Sequence, residues 1–397
     1  MCRFLLLILA VVSHSLSANA KMDFWNTQRK GTNFFNEIET LERFRSAKKI
    51  GVEVVRLVSN KWPSTQKGAK TGDFLLGPKN SYEGLVKEDL QQLKHVLNWA
   101  DQVGIKIVLT NLSLPGLRWI QHNGDTPDNR LWEDLRYHKE AEEFWRSLAR
   151  ELNGHPAVVG YNILNEPHPE KVPPQFKDWY LGDYSAWYKS IEGTPKDLNL
   201  FHNRIAAAIR SEDAETPIVI DSGFYATPWA FEIMQPLNVR HVIYSFHMYE
   251  PYAFTSYQNK DGSGKQKYFY PGDVPIGESE PAPVVTWEAK EIDSFLQPIR
   301  DWQMRHHIPS NRIFASEFGL FRVNKGAAEY LRDVLSVFNR EKWHWAFYSF
   351  REDTWAGMDY ELGSQVLAAE KKYPLKERQK YYLQNPIFDT LLRGLAQ

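Results

Sequence analysis

Short apolar runs rich in β-branched and aromatic residues recur along the chain and predict eight strands. They cover residues 30–35, 51–58, 105–110, 157–164, 218–221, 241–246, 312–316 and 344–350. Each run is four to eight residues long, which is the usual length of a buried strand. The pattern therefore predicts strands distributed along the whole sequence.

Amphipathic helical patterns lie between these strands. Leu90, Leu93, Leu97 and Ala100 repeat at helical spacing before a stop at Gly104. Further helical patterns cover residues 38–50, 144–152, 198–211, 289–306 and 326–339, with weaker ones at 228–235 and 386–394. Eight strands that are each followed by a helical stretch predict an α/β fold. A single (β/α)₈ TIM barrel explains this order of strands and helices more simply than two doubly wound halves do.

The extra length of the chain follows the predicted strands. Loops at about 59–83, 112–136, 168–196 and 250–286 contain many Pro, Gly, Trp and Tyr residues. In a barrel all four open on the C-terminal face, where active sites lie. No linker, repeat or low-complexity tract indicates a second domain, and the tail over 371–397 is expected to close the barrel.

The N-terminus has the order of a secretory signal peptide. Arg3 precedes the apolar run 4–12, and Ala18-Asn19-Ala20 matches a cleavage site. We predict that residues 1–20 are removed and that 21–397 form the barrel, exported to the extracellular space or periplasm. The apolar run is too short to span a bilayer. The one cysteine, Cys2, would leave with the signal, so no membrane contact and no disulfide are expected.

Composition narrows the possible partners. Lys plus Arg (48) nearly equals Asp plus Glu (49), so no basic excess is available to neutralise phosphates and no nucleic-acid partner is expected. The 14 Trp, 19 Tyr and 22 Phe suit stacking on sugar faces, although aromatic rings also fill cores. A monomer is expected.

Two glutamates stand where predicted strands end. The fourth strand finishes at Asn165-Glu166-Pro167 and the seventh is followed by Glu317-Phe318-Gly319. Strand ends share one rim of a barrel, so the two carboxylates can face each other across a substrate. Glycosidic cleavage requires such a pair, because one carboxyl protonates the leaving oxygen while the other attacks the anomeric carbon.

The segments 160–167 (GYNILNEP) and 316–319 (SEFG) resemble glycoside hydrolase family 5, the retaining β-glycanases of clan A that include many cellulases. The resemblance to this family extends over nearly the whole mature chain. The resemblance implies that Glu166 is the acid/base and that Glu317 is the nucleophile. It further implies that Asn165 binds the sugar 2-hydroxyl.

The same resemblance extends to three more positions. Arg56 lies in a Val-Arg-Leu like the family's arginine on the second strand, and His247 and Tyr249 match its His-x-Tyr on the sixth. Residues 247 and 249 share one face of a strand, so both can reach the same site. Arg56 is expected to hold Glu317 as an anion, and the Tyr249 hydroxyl to donate to it.

The chain departs from the family at two places. Ser113 stands where the family has a histidine after the third strand. Tyr348 stands where the family's sugar-stacking tryptophan precedes Ser349. Either Tyr348 or Trp355 could supply the aromatic ring on which a sugar stacks, which we call the sugar platform.

Other chemistries have little support. The chain has no His-Glu-x-x-His, Gly-x-Ser-x-Gly or Gly-x-Gly-x-x-Gly motif. No metal and no cofactor are expected, and a metal-dependent amidohydrolase barrel would need a histidine pair after the first strand. The sequence therefore predicts a secreted retaining β-glycosidase acting on an oligo- or polysaccharide of the β-glucan type. β-Mannanase is the nearest alternative, and a glycan-binding barrel without catalysis is the alternative from another class.

Overall fold

The computed structural model describes residues 20–78, 82–174, 182–277, 282–368, 373–382 and 384–397 of the 397-residue chain. The predicted signal peptide lies outside the described residues apart from Ala20. Within the described ranges, no helix combines the length and the apolar character needed to cross a bilayer.

Eight parallel strands close into a barrel, and a separate two-stranded antiparallel sheet lies in the loop after the sixth of them. The strands are β1 (Lys30–Phe34), β2 (Val54–Val58), β3 (Lys106–Thr110), β4 (Val158–Asn162), β5 (Ile218–Asp221), β6 (Val242–Met248), β7 (Gly272–Pro275), β8 (Val284–Trp287), β9 (Ile313–Phe318) and β10 (His344–Phe347). The barrel order is β1-β2-β3-β4-β5-β6-β9-β10, with β10 paired to β1. The predicted TIM barrel is confirmed, and the antiparallel pair β7–β8 was not predicted.

The α-helices lie mostly at the predicted places, although five short ones were not predicted and the weak pattern at 228–235 forms a 3-10 helix (Pro228–Glu232). They are α1 (Ala20–Asp23), α2 (Leu41–Lys49), α3 (Lys87–Val103), α4 (Leu135–Leu152), α5 (Tyr184–Ile191), α6 (Leu198–Arg210), α7 (Gly223–Ala226), α8 (Tyr252–Thr255), α9 (Ala289–Phe295), α10 (Gln297–His306), α11 (Ala327–Glu341), α12 (Leu375–Arg378) and α13 (Pro386–Ala396). Gly104 ends α3 in the left-handed conformation, as the sequence predicted. The single pattern over 289–306 divides into α9 and α10 at Leu296.

The last helix, α13, completes the outer ring. It packs on α11, and Lys30 Nζ at the start of β1 donates to the Gly394 carbonyl over 2.9 Å. Leu395 approaches Gly51, which follows α2. The final helix thus lies between the helices that follow the seventh and the first barrel strands, as the sequence predicted.

The lower half of the barrel interior is apolar and closed. Its lining residues form one cluster with Met22 and Trp25, namely Val54, Val108, Val159, Val219, Ile243, Phe314 and Ala346. Trp25 is fully buried, and its indole N–H donates to the Val159 carbonyl over 2.9 Å. The segment before β1 therefore plugs the bottom of the barrel and leaves only the upper face open to substrate.

A bulge in β9 turns the seventh strand's glutamate toward the interior. Phe246 of β6 pairs with Ala315, whereas the next residue, His247, pairs with Glu317, so Ser316 is the extra residue. Strict alternation would send residues 316 and 317 to opposite faces. A bulge changes that direction, and Glu317 lies beside the polar side chains of the barrel interior.

Candidate active site

Arg56 in β2 organises a polar layer above the apolar plug. Its guanidinium is fully buried. It donates to Asn162 Oδ1 (2.9 Å from Nη2) and to Asn33 Oδ1 (3.2 Å from Nη1), and Nη2 lies 3.4 Å from Asp221 Oδ2. A buried charge is stable only where its donors are satisfied. These contacts therefore fix the guanidinium in one orientation.

Glu317 is held by two donors. Arg56 Nη1 pairs with Oε1, and the Tyr249 hydroxyl donates to Oε2 over 2.9 Å. The residue is 8% exposed and lies beside Tyr249, which lines the cleft. Charge-assisted hydrogen bonds of this kind fix the direction of both carboxylate oxygens, and a nucleophile needs such an orientation toward the reacting carbon.

Glu166 lies at the end of the fourth barrel strand in an unusual backbone conformation. Its φ is 47°, in the left-handed region that residues other than glycine rarely adopt. The backbone N–H donates to Asp221 Oδ2 over 3.2 Å, and Oε1 is 2.8 Å from His247 Nδ1. Such strained residues persist where the surrounding structure holds them, commonly at functional sites.

The surroundings of Glu166 favour its protonated form. Burial raises the pKa of its carboxyl, the His247 contact lowers the pKa, and the nearby Glu317 charge raises it again, with a net rise. A buried carboxyl beside a second carboxylate keeps its proton to higher pH. This is the property required of a general acid.

His247 lies between the two glutamates. Nδ1 is 2.8 Å from Glu166 Oε1 and 3.8 Å from Glu317 Oε2, and Nε2 is 3.6 Å from Asp221 Oδ2. Burial alone lowers the pKa of the imidazole, but Glu317, Glu166 and Asp221 together raise the pKa above its ordinary value. The imidazole is therefore suited to donate to Glu166 and to stay paired as that residue gains and loses its proton.

The separation of the two glutamates carries stereochemical information. Ligating atoms of Glu166, His247 and Glu317 all lie within 4.8 Å of one another. Retaining glycosidases place their carboxyl groups about 5–5.5 Å apart, whereas inverting enzymes need about 6.5–9.5 Å to admit a water.

The same three residues are potential metal ligands among the described residues, but Arg56 already gives Glu317 a positively charged partner.

Asn165 joins the polar layer to the cleft. Its Oδ1 accepts from Arg56 Nη2 over 2.5 Å, and its backbone N–H donates to the Asn111 carbonyl over 2.8 Å. Because the side-chain oxygen is occupied, the amide has its Nδ2 hydrogens to offer to a ligand.

An open cleft of about 800 Å³ lies above these groups. Glu166, His247, Tyr249, Tyr348 and Trp355 are among its lining residues. Trp355 stacks nearly parallel to Phe321, with ring centres 6.3 Å apart. The structure thus brings all eight predicted site residues to one face of the barrel: the glutamate pair, four residues around it and the two platform candidates on the cleft wall.

Ser113 has a structural role at the position of the missing histidine. Its hydroxyl accepts the backbone N–H of Trp119 over 3.2 Å, and Trp119 lines the cleft. Ser113 itself is buried. The departure from the family pattern therefore changes the wall beside Glu166, while the carboxylate pair keeps its own contacts.

Sequence reasoning missed the polar residues beneath the glutamates. Asn33, Asn162 and Asp221 are fully or almost fully buried and contact Arg56. Asn162 Nδ2 also donates to Asp221 Oδ1 over 3.0 Å. The available signal was a polar residue in or at the end of an otherwise apolar strand, because such a residue needs a buried partner.

Fold and site together define a (β/α)₈ barrel with a glycosidase-like pair of carboxylates on its C-terminal rim. The model of one family, described as cellulase (glycosyl hydrolase family 5), matches residues 17–354. The chain belongs to this family.

Curated relatives are similar to parts of the chain. Endoglucanase C of Acetivibrio thermocellus is 25% identical over 184 residues, which are 46% of this chain and 46% of that protein. A β-xylosidase of Phanerodontia chrysosporium is 20% identical over 290 residues, which are 69% of this chain and 51% of that protein. The alignments therefore span about half the length of the curated relatives.

Solved structures support the fold. The structure of endoglucanase Cel5A from Thermotoga maritima superposes with a TM-score of 0.60 at 16% identity, covering 94% of this chain and 99% of that one. An endoglucanase structure with a TM-score of 0.58 is 17% identical and covers 92% and 100%, respectively.

Arg56 should also be important for folding stability. We expect Arg56→Met to lower the free energy of unfolding by about 3–5 kcal/mol, because the buried Asp221 and Glu317 carboxylates would lose their partner. Arg204→Met is the matched control, since its ion pair with Glu142 is partly exposed and should contribute no more than about 1 kcal/mol. Denaturant unfolding of both variants measures this, and equal losses would contradict a special role for Arg56.

Proposed function

We propose that the protein is a retaining β-glycosidase that cleaves a β-glucan, in the manner of a cellulase or endoglucanase. One observation carries the proposal. Glu166 and Glu317 face each other within 4.8 Å, yet their environments differ, since Glu317 is bound by a cation and a hydroxyl while burial favours the protonated Glu166. Two carboxyls whose environments separate their roles are what acid and nucleophile assignments require.

The first chemical step forms a covalent intermediate. A Glu317 oxygen attacks the anomeric carbon from one side while the glycosidic oxygen leaves on the other and takes the proton of Glu166. The bond to the leaving sugar breaks, and an ester bond to Glu317 forms. Arg56 and Tyr249 orient the carboxylate before attack, so little reorganisation is needed at the moment of reaction.

The second step regenerates the enzyme. Glu166, now a carboxylate, removes a proton from water, and the resulting hydroxide attacks the anomeric carbon and displaces Glu317. The two displacements restore the β configuration. His247 keeps its 2.8 Å contact with Glu166, which offers a hydrogen bond to that residue while it is charged.

Mannan is a second candidate substrate class. Glucose and mannose differ at C2, and the Asn165 amide is the group that the family resemblance places at the 2-hydroxyl. With its oxygen held by Arg56, Asn165 presents a donor, which can serve a hydroxyl in either orientation. Structures of the Thermotoga maritima relative hold cellobiose in one case and mannotriose in another.

A substrate series tests the proposal. We expect kcat/KM to rise from the disaccharide to longer β-1,4-gluco-oligosaccharides, because aromatic groups along an open cleft add binding that is used at the reacting centre. Parallel assays on cellulose, mannan and xylan oligosaccharides separate the substrate classes. Equal rates on a short aryl glycoside and on a long oligosaccharide would argue for a closed pocket and exo action. Tight binding without any hydrolysis would favour the non-catalytic glycan-binding alternative.

We also propose that the protein is exported and that the mature chain begins at or near Lys21. The packing is compatible with this site, because Met22 and Trp25 belong to the barrel plug and Lys21 Nζ donates to Thr216 Oγ1 over 2.6 Å. N-terminal sequencing of the exported fraction from the native host should give a sequence starting near Lys21. An exported chain that still carries Met1 would contradict the proposal.

A further inference from the structure

Tyr348, which directly follows the last barrel strand β10, is a platform candidate with a fixed hydroxyl. Tyr348 lines the cleft, and its backbone N–H donates to the Phe318 carbonyl over 2.9 Å, which places it beside Glu317. Its hydroxyl donates to Glu352 Oε2 over 3.0 Å. A tryptophan at this position would have no hydroxyl to bind there.

Glu352 is a buried acceptor beneath the cleft wall. It is 6% exposed, and its Oε2 also lies 3.4 Å from the Ser349 hydroxyl. Its other oxygen pairs with Lys61 Nζ. The carboxylate is thus satisfied on both sides, and its position is set by groups from two different loops.

Lys61 fixes the far side of this network. Its ammonium donates to Thr354 Oγ1 (2.9 Å) and to the Phe35 carbonyl (3.2 Å), and it lies 4.0 Å from the centre of the Phe35 ring. The Phe35 ring is 6.3 Å from the Tyr348 ring. Together with the Glu352 contact, these contacts occupy all three N–H donors of the ammonium. Lys61 is therefore a fixed structural member of this network.

We propose that Glu352, held by Lys61, is a positioning residue that fixes the Tyr348 ring as the platform for the sugar at the reacting centre. The inference rests on the proposed glycosidase function. A tyrosine ring is narrower than an indole and covers less of a sugar face, so its orientation must be better defined to give the same contact. Tying the hydroxyl to a buried carboxylate fixes the direction of the ring's long axis at low entropic cost, and packing beside Phe35 limits rotation of the ring about that axis.

A mutant cycle tests this coupling. Tyr348→Phe removes the hydroxyl and keeps the ring. The double variant Lys61→Met/Glu352→Met removes the acceptor without leaving an unpaired buried charge. We expect each to raise KM for a cello-oligosaccharide about five- to tenfold with kcat within about twofold. The triple variant should be no worse than either, because both changes remove one interaction.

Two further variants separate positioning from general destabilisation. Glu352→Gln keeps an acceptor oxygen for Tyr348 and should restore KM to within about twofold of the wild-type value. Tyr382→Phe is the matched control, since the Tyr382 hydroxyl donates to Glu361 over 2.9 Å but Tyr382 is not among the cleft-lining residues. It should leave KM unchanged. A merely structural defect lowers the active fraction, which lowers apparent kcat and leaves KM alone.

The coupling between Glu352 and Tyr348 can also be measured without turnover. In a Glu317→Gln background, the same cycle measured as oligosaccharide Kd reports ring positioning independently of catalysis. Effects that multiply in the triple variant, or a loss confined to kcat, would overturn the role of Glu352. Wild-type protein that binds glycans without cleaving them would overturn the proposed function, while the Kd cycle would still decide the role of Glu352.

Discussion

Glu317→Gln should remove nearly all turnover, by roughly 10⁴-fold or more on any glycoside, because an amide cannot form the covalent intermediate. The substitution keeps the size of the side chain and an acceptor for the Tyr249 hydroxyl. Steady-state kinetics on an aryl glycoside with a good leaving group measures the loss. An activated leaving group cannot compensate, since the nucleophile itself is absent.

A matched control shows whether the loss belongs to the site. Glu361 is also a buried glutamate held by a guanidinium, with Arg351 Nε 2.6 Å from its Oε2, but its other contacts are with Arg378 and Tyr382 and not with the groups around Glu166. Glu361→Gln should keep kcat near the wild-type value. If Glu317→Gln instead keeps near-normal rates, Glu317 is not the nucleophile and the mechanism proposed above is wrong.

The stereochemistry of the product gives an independent test of the retaining mechanism. Two displacements at one carbon release the β-anomer first, whereas a single displacement releases the α-anomer. Proton NMR of early products distinguishes them before mutarotation mixes the two. An α-anomer at early times would contradict the retaining assignment even though the carboxylates are close together.

The barrel and its rim could be predicted from the sequence because their signals are local. Each strand is a short apolar run, and each helix that follows has a 3.6-residue pattern. The strands β7 and β8 escaped prediction for two reasons. β7 contains Gly272, Asp273 and Pro275, which disfavour a strand. The short run Val284–Trp287 of β8 is partly exposed and lies at the end of the stretch 250–286 that was predicted as a loop.

The geometry of the site depends on contacts that the sequence does not display. The direction of Glu317 follows from the bulge at Ser316, which depends on the pairing of β9 with β6. Glu166 takes a left-handed backbone conformation that residue preferences would argue against. Both features arise from tertiary packing, so sequence could name the two glutamates without giving their orientation.

The buried polar partners were harder to recognise than the glutamates. Asp221 and Glu352 are ordinary acidic residues in the sequence, and only the fold brings them to Arg56 and Tyr348. Their burial is the informative property, because a buried carboxylate must be paired. The family resemblance named the residues that are expected to touch the sugar, and the structure adds those that hold them in place.

Removal of the general acid should give a different signature from removal of the nucleophile. We expect Glu166→Ala to lower kcat/KM on an unactivated oligosaccharide by about 10²–10⁴-fold, the usual contribution of general acid catalysis. Formation of the intermediate from a dinitrophenyl glycoside should be nearly spared, because that leaving group departs without a proton. The contrast between the two substrates is the measurement that separates Glu166 from Glu317.

The pH dependence follows from the protonation state of Glu166. Burial raises the pKa of this carboxyl, so the acid form persists to higher pH than for an exposed glutamate, and activity on unactivated substrates falls as pH rises through that pKa. Glu166→Ala should abolish this alkaline limb for unactivated oligosaccharides, whereas the dinitrophenyl glycoside, which needs no acid, should lack such a limb in kcat/KM even with the wild-type protein. The side chain's removal also opens space beside the intermediate, where azide needs no general base and should give a β-glycosyl azide. Because azide attacks the same face that water does, an α-glycosyl azide, or an alkaline limb that survives the substitution, would show that Glu166 is not the acid/base.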